Sequence, residues 1–165
     1  MRHDDDASAS LAYLGDTRDV EHGARADEAA DRSKPIKGRR FNLMHANLAN
    51  EDSILRAKRL GMVCCPGVAT PTEAFAALAV GADGLKMFPA EALPPAALRA
   101  WRAVLPKETL VFAVGGIRPD NMQGYWSAGA SGFGTGSNLY KPGTSAEDVA
   151  KVAREYATTF TELKR

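Results

Sequence analysis

A chain of 165 residues is long enough to bury one core, and at 45% hydrophobic and 25% charged, with a formal net charge of +1, it has the make-up of an ordinary soluble domain. That balance gives no bulk attraction to nucleic acid or to a membrane surface, and no apolar run approaches the ~20 residues a membrane span needs. The acidic start "MRHDDDASAS" lacks the basic flank and apolar core of a secretory signal, so the expected location is the cytoplasm.

Residues 1–40 carry eight basic and nine acidic side chains and few large apolar groups, with no sustained periodicity. They read as a charged, disordered leader, and residues 41–165 as the folded domain. The domain opens with "FNLMHANLA" as a strand and "NEDSILRAKRLG" as a helix. "MVCCPGV" follows as a strand; its adjacent Cys64 and Cys65 point to opposite faces and read as reduced core residues rather than a disulfide or a metal site. Thr70-Pro71-Thr72-Glu73 then forms a capping box with proline at the first helical position, opening a helix through Phe75 and Leu78 that stops at Gly81.

"GLKMFPA" is the next strand, followed by Pro94-Pro95 and a helix with Leu98, Trp101 and Leu105 on one face. "LVFAVGGI" precedes a helix carrying Met122, Tyr125 and Trp126, and "SGFGTGS" precedes one with Val149, Val152, Ala153 and Tyr156 at helical spacing. Strand starts near Met62, Gly84, Leu110 and Ser131 recur at roughly 20–26 residues, the spacing of βα units. Apolar strands alternating with helices imply a parallel sheet covered by helices, which fits either a small doubly wound sheet or part of a (β/α)8 barrel. Both place their ligand site at the C-terminal ends of the strands.

Chemistry concentrates at those ends. Lys86 stands in an apolar strand, on one face with Gly84 and Phe88; burial lowers an amine's pKa and yields a neutral nucleophile that can form a Schiff base with a ketone. The plainer reading is a strand-end lysine that snorkels to solvent or pairs with Asp83 or Glu91. "AVGGI" and "GTGS" end two successive strands, so Gly115, Gly116, Gly136 and the Ser137 hydroxyl can bring donors to an anion such as phosphate. Alternatively the glycines only make tight turns. Pro66 turns the chain at a strand end and can line a pocket; His45 reads as a strand-end polar residue.

Together, "GMVCCPGVATPTEAFAALAVGADGLKMFPAEA", "VLPKETLVFAVGGIRPDNM" and "GFGTGSNLYKPGTS" closely resemble the aldolases that cleave 2-dehydro-3-deoxy-6-phosphosugar acids, over roughly Asn47 to Phe160. The resemblance implies a class I aldolase on a (β/α)8 barrel, usually a trimer, releasing pyruvate and glyceraldehyde 3-phosphate. By the same resemblance Lys86 matches the Schiff-base lysine and Phe88 the aromatic beside the reacting carbonyl. Gly115, Gly116, Gly136 and Ser137 match the positions that hold the substrate phosphate. Val114, before the double glycine, resembles the phosphogalactonate branch, whereas the phosphogluconate branch tends to carry threonine there. No metal or organic cofactor is implied, and the partners are a phosphorylated sugar acid and pyruvate.

The family's first strands carry an arginine, a glutamate and a threonine that have no match in residues 1–34, and "MHAN" stands where the family has "TPN", leaving only Asn47 in register. The expected fold is therefore α/β, a partial TIM barrel of the last four to five βα units behind an unrelated or frame-shifted leader. Without the glutamate, an acid/base contribution of typically ~10²–10⁴-fold is expected to be missing. Two other readings stand beside the aldolase. One is a non-catalytic half-barrel that binds phosphate or self-associates. The other is another phosphate-binding barrel, such as a thiamine phosphate synthase, which shares the glycine turns but does not account for Lys86 followed by "MFPAE".

Overall fold

The computed structural model describes residues 42–44, 51–59 and 61–165. The expected leader over residues 1–40, and His45 and Asn47, lie outside the described residues. Five βα units follow one another. The first is β1 (Asn42–Met44) with α1 (Glu51–Arg59); the second is β2 (Val63–Cys65) and β3 (Gly67–Val68) with α2 (Pro71–Ala79). The third is β4 (Leu85–Met87) with α3 (Pro95–Arg102), the fourth β5 (Val111–Val114) with α4 (Pro119–Ser127), and the fifth β6 (Gly132–Gly134) with α5 (Ala146–Leu163).

The strands pair parallel and in chain order, β1 with β2, then β3–β4–β5–β6. A doubly wound sheet reverses its order at a switch point. Here each new strand adds on the same side of the last, which is the winding of a barrel wall. That resolves the alternative left open by the sequence.

The strand read over "MVCCPGV" ends at Cys65, at the turn expected of Pro66, which has no N–H to give to a ladder, and resumes as Gly67–Val68. Its carbonyl still accepts from the Lys86 N–H at 2.9 Å, between Cys64 O accepting from Asp83 N at 2.9 Å and Val68 O accepting from Phe88 N at 3.1 Å. The segment thus runs along β4 without a gap on its carbonyl side.

Local sequence explains the helix ends. The Thr70 hydroxyl accepts from the Glu73 N–H at 3.2 Å while the Glu73 carboxylate takes the Thr70 N–H at 2.8 Å, so two otherwise orphaned donors are satisfied ahead of Pro71. The backbone donors hold the Glu73 carboxyl below its usual range. α2 ends before Gly81, whose φ of +91° no β-carbon favours.

The core lies between the outer face of the strands and the helices. Leu85, Met87, Val111 and Ala113 pack there with Leu98, Trp101, Leu105, Met122 and Tyr125. Trp126 is half-buried, edge-on to Phe160 at 5.6 Å, and Phe160 is in turn edge-on to Phe133 at 6.0 Å. In α5 the inward stripe is Val149, Val152, Tyr156, Phe160 and Leu163; Ala153 is exposed, because the 3.6-residue period carries it past the buried face. At the opposite end of the strands from the glycine turns, Arg102 donates to Gly129 O at 2.7 Å, Thr109 O at 2.6 Å and Ser131 Oγ at 3.0 Å. It thereby ties α3 to the starts of β5 and β6.

Candidate active site

Parallel register decides which way Lys86 faces. Gly67 pairs with Lys86, Lys86 with Phe112, and Phe112 with Gly132, and residues paired across strands share a face. Lys86 therefore lies on the inner wall, while Leu85 and Met87 face the helices. Glycines flank this row. A methyl on Gly84 or Gly132 would meet the Phe112 ring at 3.2 and 3.0 Å, so the ring spreads sideways into space that neither neighbour fills.

Lys86 is 0% exposed. Burial pushes its amine down from 10.5 to about 8. At pH 7 about one amine in ten is then neutral, against about one in 3,000 for an unshifted lysine. Nζ stands 4.0 Å from the centroid of the Phe88 ring, whose face favours the ammonium, and burial outweighs that attraction. Asp83, which the sequence offered as an ion partner for Lys86, is engaged elsewhere, with Lys58 Nζ and with the Cys64 N–H at 2.8 Å.

The glycine turns stand at the C-terminal end of the same wall. Gly115 and Gly116 have φ of +100° and +65°, so the chain leaves β5 through two left-handed residues. A methyl on Gly115 would come within 3.2 Å of Ala90 N and Pro89 Cα and 3.3 Å of the Phe88 ring; one on Gly116 would collide with the Glu91 carboxylate. The double-glycine turn thus lies directly against the Phe88–Glu91 turn that follows β4. Val114, buried at the last position of β5, occupies the space left by Gly134, where a methyl would stand 2.6 Å from its Cγ2. Pro66 is buried beside the Lys86 strand, and Gly136 and Ser137 are exposed on the turn after β6.

Several polar residues that the sequence did not single out hold these turns. The Tyr125 hydroxyl donates to Ala90 O at 2.7 Å. Asn121 donates to Gly116 O at 3.0 Å and accepts from the Arg118 N–H at 2.9 Å, which also caps α4. Asn138 and Tyr156 both donate to Ile117 O, at 3.1 and 2.7 Å. Asn121 carried a recognisable signal, at the third position after the start of the "RPDN" helix; the two tyrosines read only as core.

Burial raises the Cys64 thiol to about 12 and the Cys65 thiol to about 11, with Asp83 adding to both, so neither is a thiolate nucleophile at neutral pH. Among the described residues no group of three or more His, Cys, Asp or Glu is placed to hold a metal ion.

The family model for KDPG and KHG aldolase matches residues 48–155. A 2-dehydro-3-deoxy-6-phosphogalactonate aldolase of Escherichia coli (strain K12) is 45% identical over 113 residues, 68% of this chain and 55% of the relative. A probable enzyme of the same name from Rhizobium meliloti (strain 1021) is 52% identical over 104 residues, 62% of this chain and 49% of the relative. A solved native KDPGal structure superposes with a TM-score of 0.75 at 38% identity, covering 85% of this chain and 65% of that one. The chain spans about half the length of the curated relatives it matches. With the lysine-bearing wall, the two glycine turns and the family match in agreement, the chain belongs to the KDPG and KHG aldolase family.

Proposed function

We propose that the protein acts as a class I aldolase on 2-dehydro-3-deoxy-6-phosphogalactonate, with Lys86 as the Schiff-base residue. The observation that carries this is a fully buried amine lowered to about 8 on the inner wall, two residues before Phe88, against which the double-glycine turn packs. In its neutral form Lys86 Nζ adds to the C2 ketone, and loss of water from the carbinolamine leaves an iminium. The iminium is the electron sink: the C4 hydroxyl gives its proton to a water molecule acting as base, the C3–C4 bond breaks, and its electron pair becomes the enamine. Glyceraldehyde 3-phosphate leaves, C3 takes up a proton, and hydrolysis releases pyruvate and the free amine. No metal or organic cofactor enters this sequence.

In this reading the Gly115–Gly116 turn, running into the N-terminus of α4, and the Gly136–Ser137 turn hold the 6-phosphate with backbone N–H groups and the Ser137 hydroxyl. Phe88 and Pro66 line the pyruvate end, and Val114 sets the apolar side nearest the distinguishing stereocentre. A cytoplasmic homo-oligomer, a trimer as in the family, belongs to the same reading. Exposed Phe75, Val104 and Leu110 offer apolar surface for a second copy, and no described helix is long and apolar enough to cross a membrane.

The span of about half a relative's length supports a second reading, a non-catalytic half-barrel that only binds phosphate or associates with itself. Pyruvate release, measured with each epimeric phosphosugar acid, separates the two. The aldolase reading predicts turnover that prefers the galactonate epimer by about tenfold or more, the discrimination expected of a pocket contact worth 1–3 kcal/mol. Turnover favouring the gluconate epimer would move the chain to that branch. Phosphate binding without turnover of either would establish the half-barrel.

A further inference from the structure

Two loops read as holding the phosphate come from different strands, and nothing in either loop by itself fixes their separation. The Ile117 carbonyl does. It follows Gly116 by one residue and accepts two hydrogen bonds, from Asn138 Nδ2 at 3.1 Å and from the Tyr156 hydroxyl at 2.7 Å. Asn138 follows Ser137 by one residue, in a turn where Gly136 O accepts from Leu139 N at 2.8 Å and Tyr140 N at 3.0 Å. Tyr156 is 8% exposed and reaches the carbonyl from α5. A carbonyl oxygen has two lone pairs, so these two donors use its capacity fully. Ile117 is 2% exposed and the Tyr156 bond is buried, so losing the Tyr156 hydroxyl is not readily made good by water, whereas the Asn138 bond lies at the partly exposed edge of the turn.

We propose that Asn138 and Tyr156 are positioning residues for the phosphate end of the site, clamping the Gly115–Gly116 turn and the Gly136–Ser137 turn at one shared acceptor. This rests on the assignment of those turns to phosphate. Asn138 joins the two loops directly, and Tyr156 fixes the carbonyl's direction from the helix behind it. The clamp acts on where the phosphate sits, because β4, which carries Lys86, is held by β3 and β5, and Gly115 is seated against Phe88 by its own packing on the Phe88–Ala90 turn.

The test compares Asn138→Ala and Tyr156→Phe with the unaltered protein in three measurements. These are KM and kcat for the phosphorylated substrate, inhibition by inorganic phosphate, and borohydride trapping of pyruvate on Lys86. The expected result is a KM and a phosphate inhibition constant that rise together, by about five- to tenfold for Tyr156→Phe, which loses a buried hydrogen bond, and by about two- to fivefold for Asn138→Ala, which loses a partly exposed one, with kcat and trapping within about twofold. Tyr156→Phe keeps the ring and its packing, so it separates the hydroxyl from a general loss of fold. Unchanged KM and phosphate inhibition in both variants would overturn the clamp, as would trapping that falls in proportion to KM. If the unaltered protein traps pyruvate but is not inhibited by phosphate, the assignment of the turns fails and the clamp with it. If it binds phosphate but traps no pyruvate, only the aldolase reading fails, and phosphate dissociation constants from titration calorimetry on the parent and the two variants decide the clamp: weaker binding in both supports it, unchanged binding overturns it.

Discussion

Lys86→Met should abolish the proposed cleavage, by on the order of 10⁴-fold or more, and at the same time stabilise the fold at neutral pH. Methionine has nearly the shape of the lysine stem and no amine to desolvate, and position 86 is fully buried. The sign follows from the direction of the shift. The folded-state amine titrates at about 8 and the unfolded one at 10.5, so between those values the unfolded chain binds more protons and stability rises with pH. Below pH 8 both states are protonated and the folded state carries the whole penalty, at most about 3 kcal/mol at ~1.36 kcal/mol per pKa unit. Urea midpoints should therefore show Lys86→Met ahead by about 1–3 kcal/mol at pH 7, with the gap closing by about pH 10.5. Taking the difference between the two proteins cancels the titration of their other lysines and tyrosines. A variant that is less stable than the parent at pH 7, or a gap that does not depend on pH, contradicts a desolvated amine at this position.

Gly115→Ala should be the more damaging of the two substitutions in the double-glycine turn, costing about 2–4 kcal/mol of stability. Its φ of +100° lies beyond the left-handed region an alanine tolerates, and the added methyl would press on backbone atoms, Ala90 N and Pro89 Cα, that have little freedom to yield. Gly116→Ala is the control. At φ +65° alanine is strained by only about 1–2 kcal/mol, and the obstacle is the end of the flexible Glu91 side chain. Thermal unfolding should rank parent, Gly116→Ala and Gly115→Ala in falling order. Because Gly115 packs on the Phe88–Ala90 turn, its substitution should also slow Schiff-base formation, whereas Gly116→Ala should act mainly on binding of the phosphorylated substrate. The reverse ranking would show that the two turns are not packed as described.

These effects follow from features that were legible to different degrees in the chain. The Thr70–Glu73 capping box, the prolines at helix starts and the apolar strands are local, and elementary backbone chemistry predicts each of them where it is found. Two-residue alternation put Lys86 on one face with Gly84 and Phe88, but which face that is, and that the side chain is buried rather than snorkelling, came from the strand register and the structure. Choosing a barrel wall over a doubly wound sheet required strand order, which no local pattern carries. The break at Pro66 was predictable from its missing N–H, but the continuation of the ladder through its carbonyl was not.

The supports of the site were the least legible. Tyr125 and Tyr156 sit at helical spacing on apolar faces, and a buried tyrosine looks like a phenylalanine until its hydroxyl finds an acceptor 35 or 39 residues away. Nothing in the sequence singled out Arg102, yet its guanidinium serves three acceptors around the starts of β5 and β6. Such contacts depend on which strand ends are neighbours, so they emerge only after the fold is known.

Sodium borohydride reduction in the presence of pyruvate between pH 6 and 9, followed by peptide mass spectrometry, decides whether Lys86 is the nucleophile. A reachable neutral amine predicts one reduced pyruvyl adduct, on Lys86, forming faster as pH rises and levelling above the amine's value of about 8. A folded protein that gives no adduct at Lys86 at any of these pH values, or that is labelled equally on its surface lysines, would contradict the assignment of Lys86 as the nucleophile.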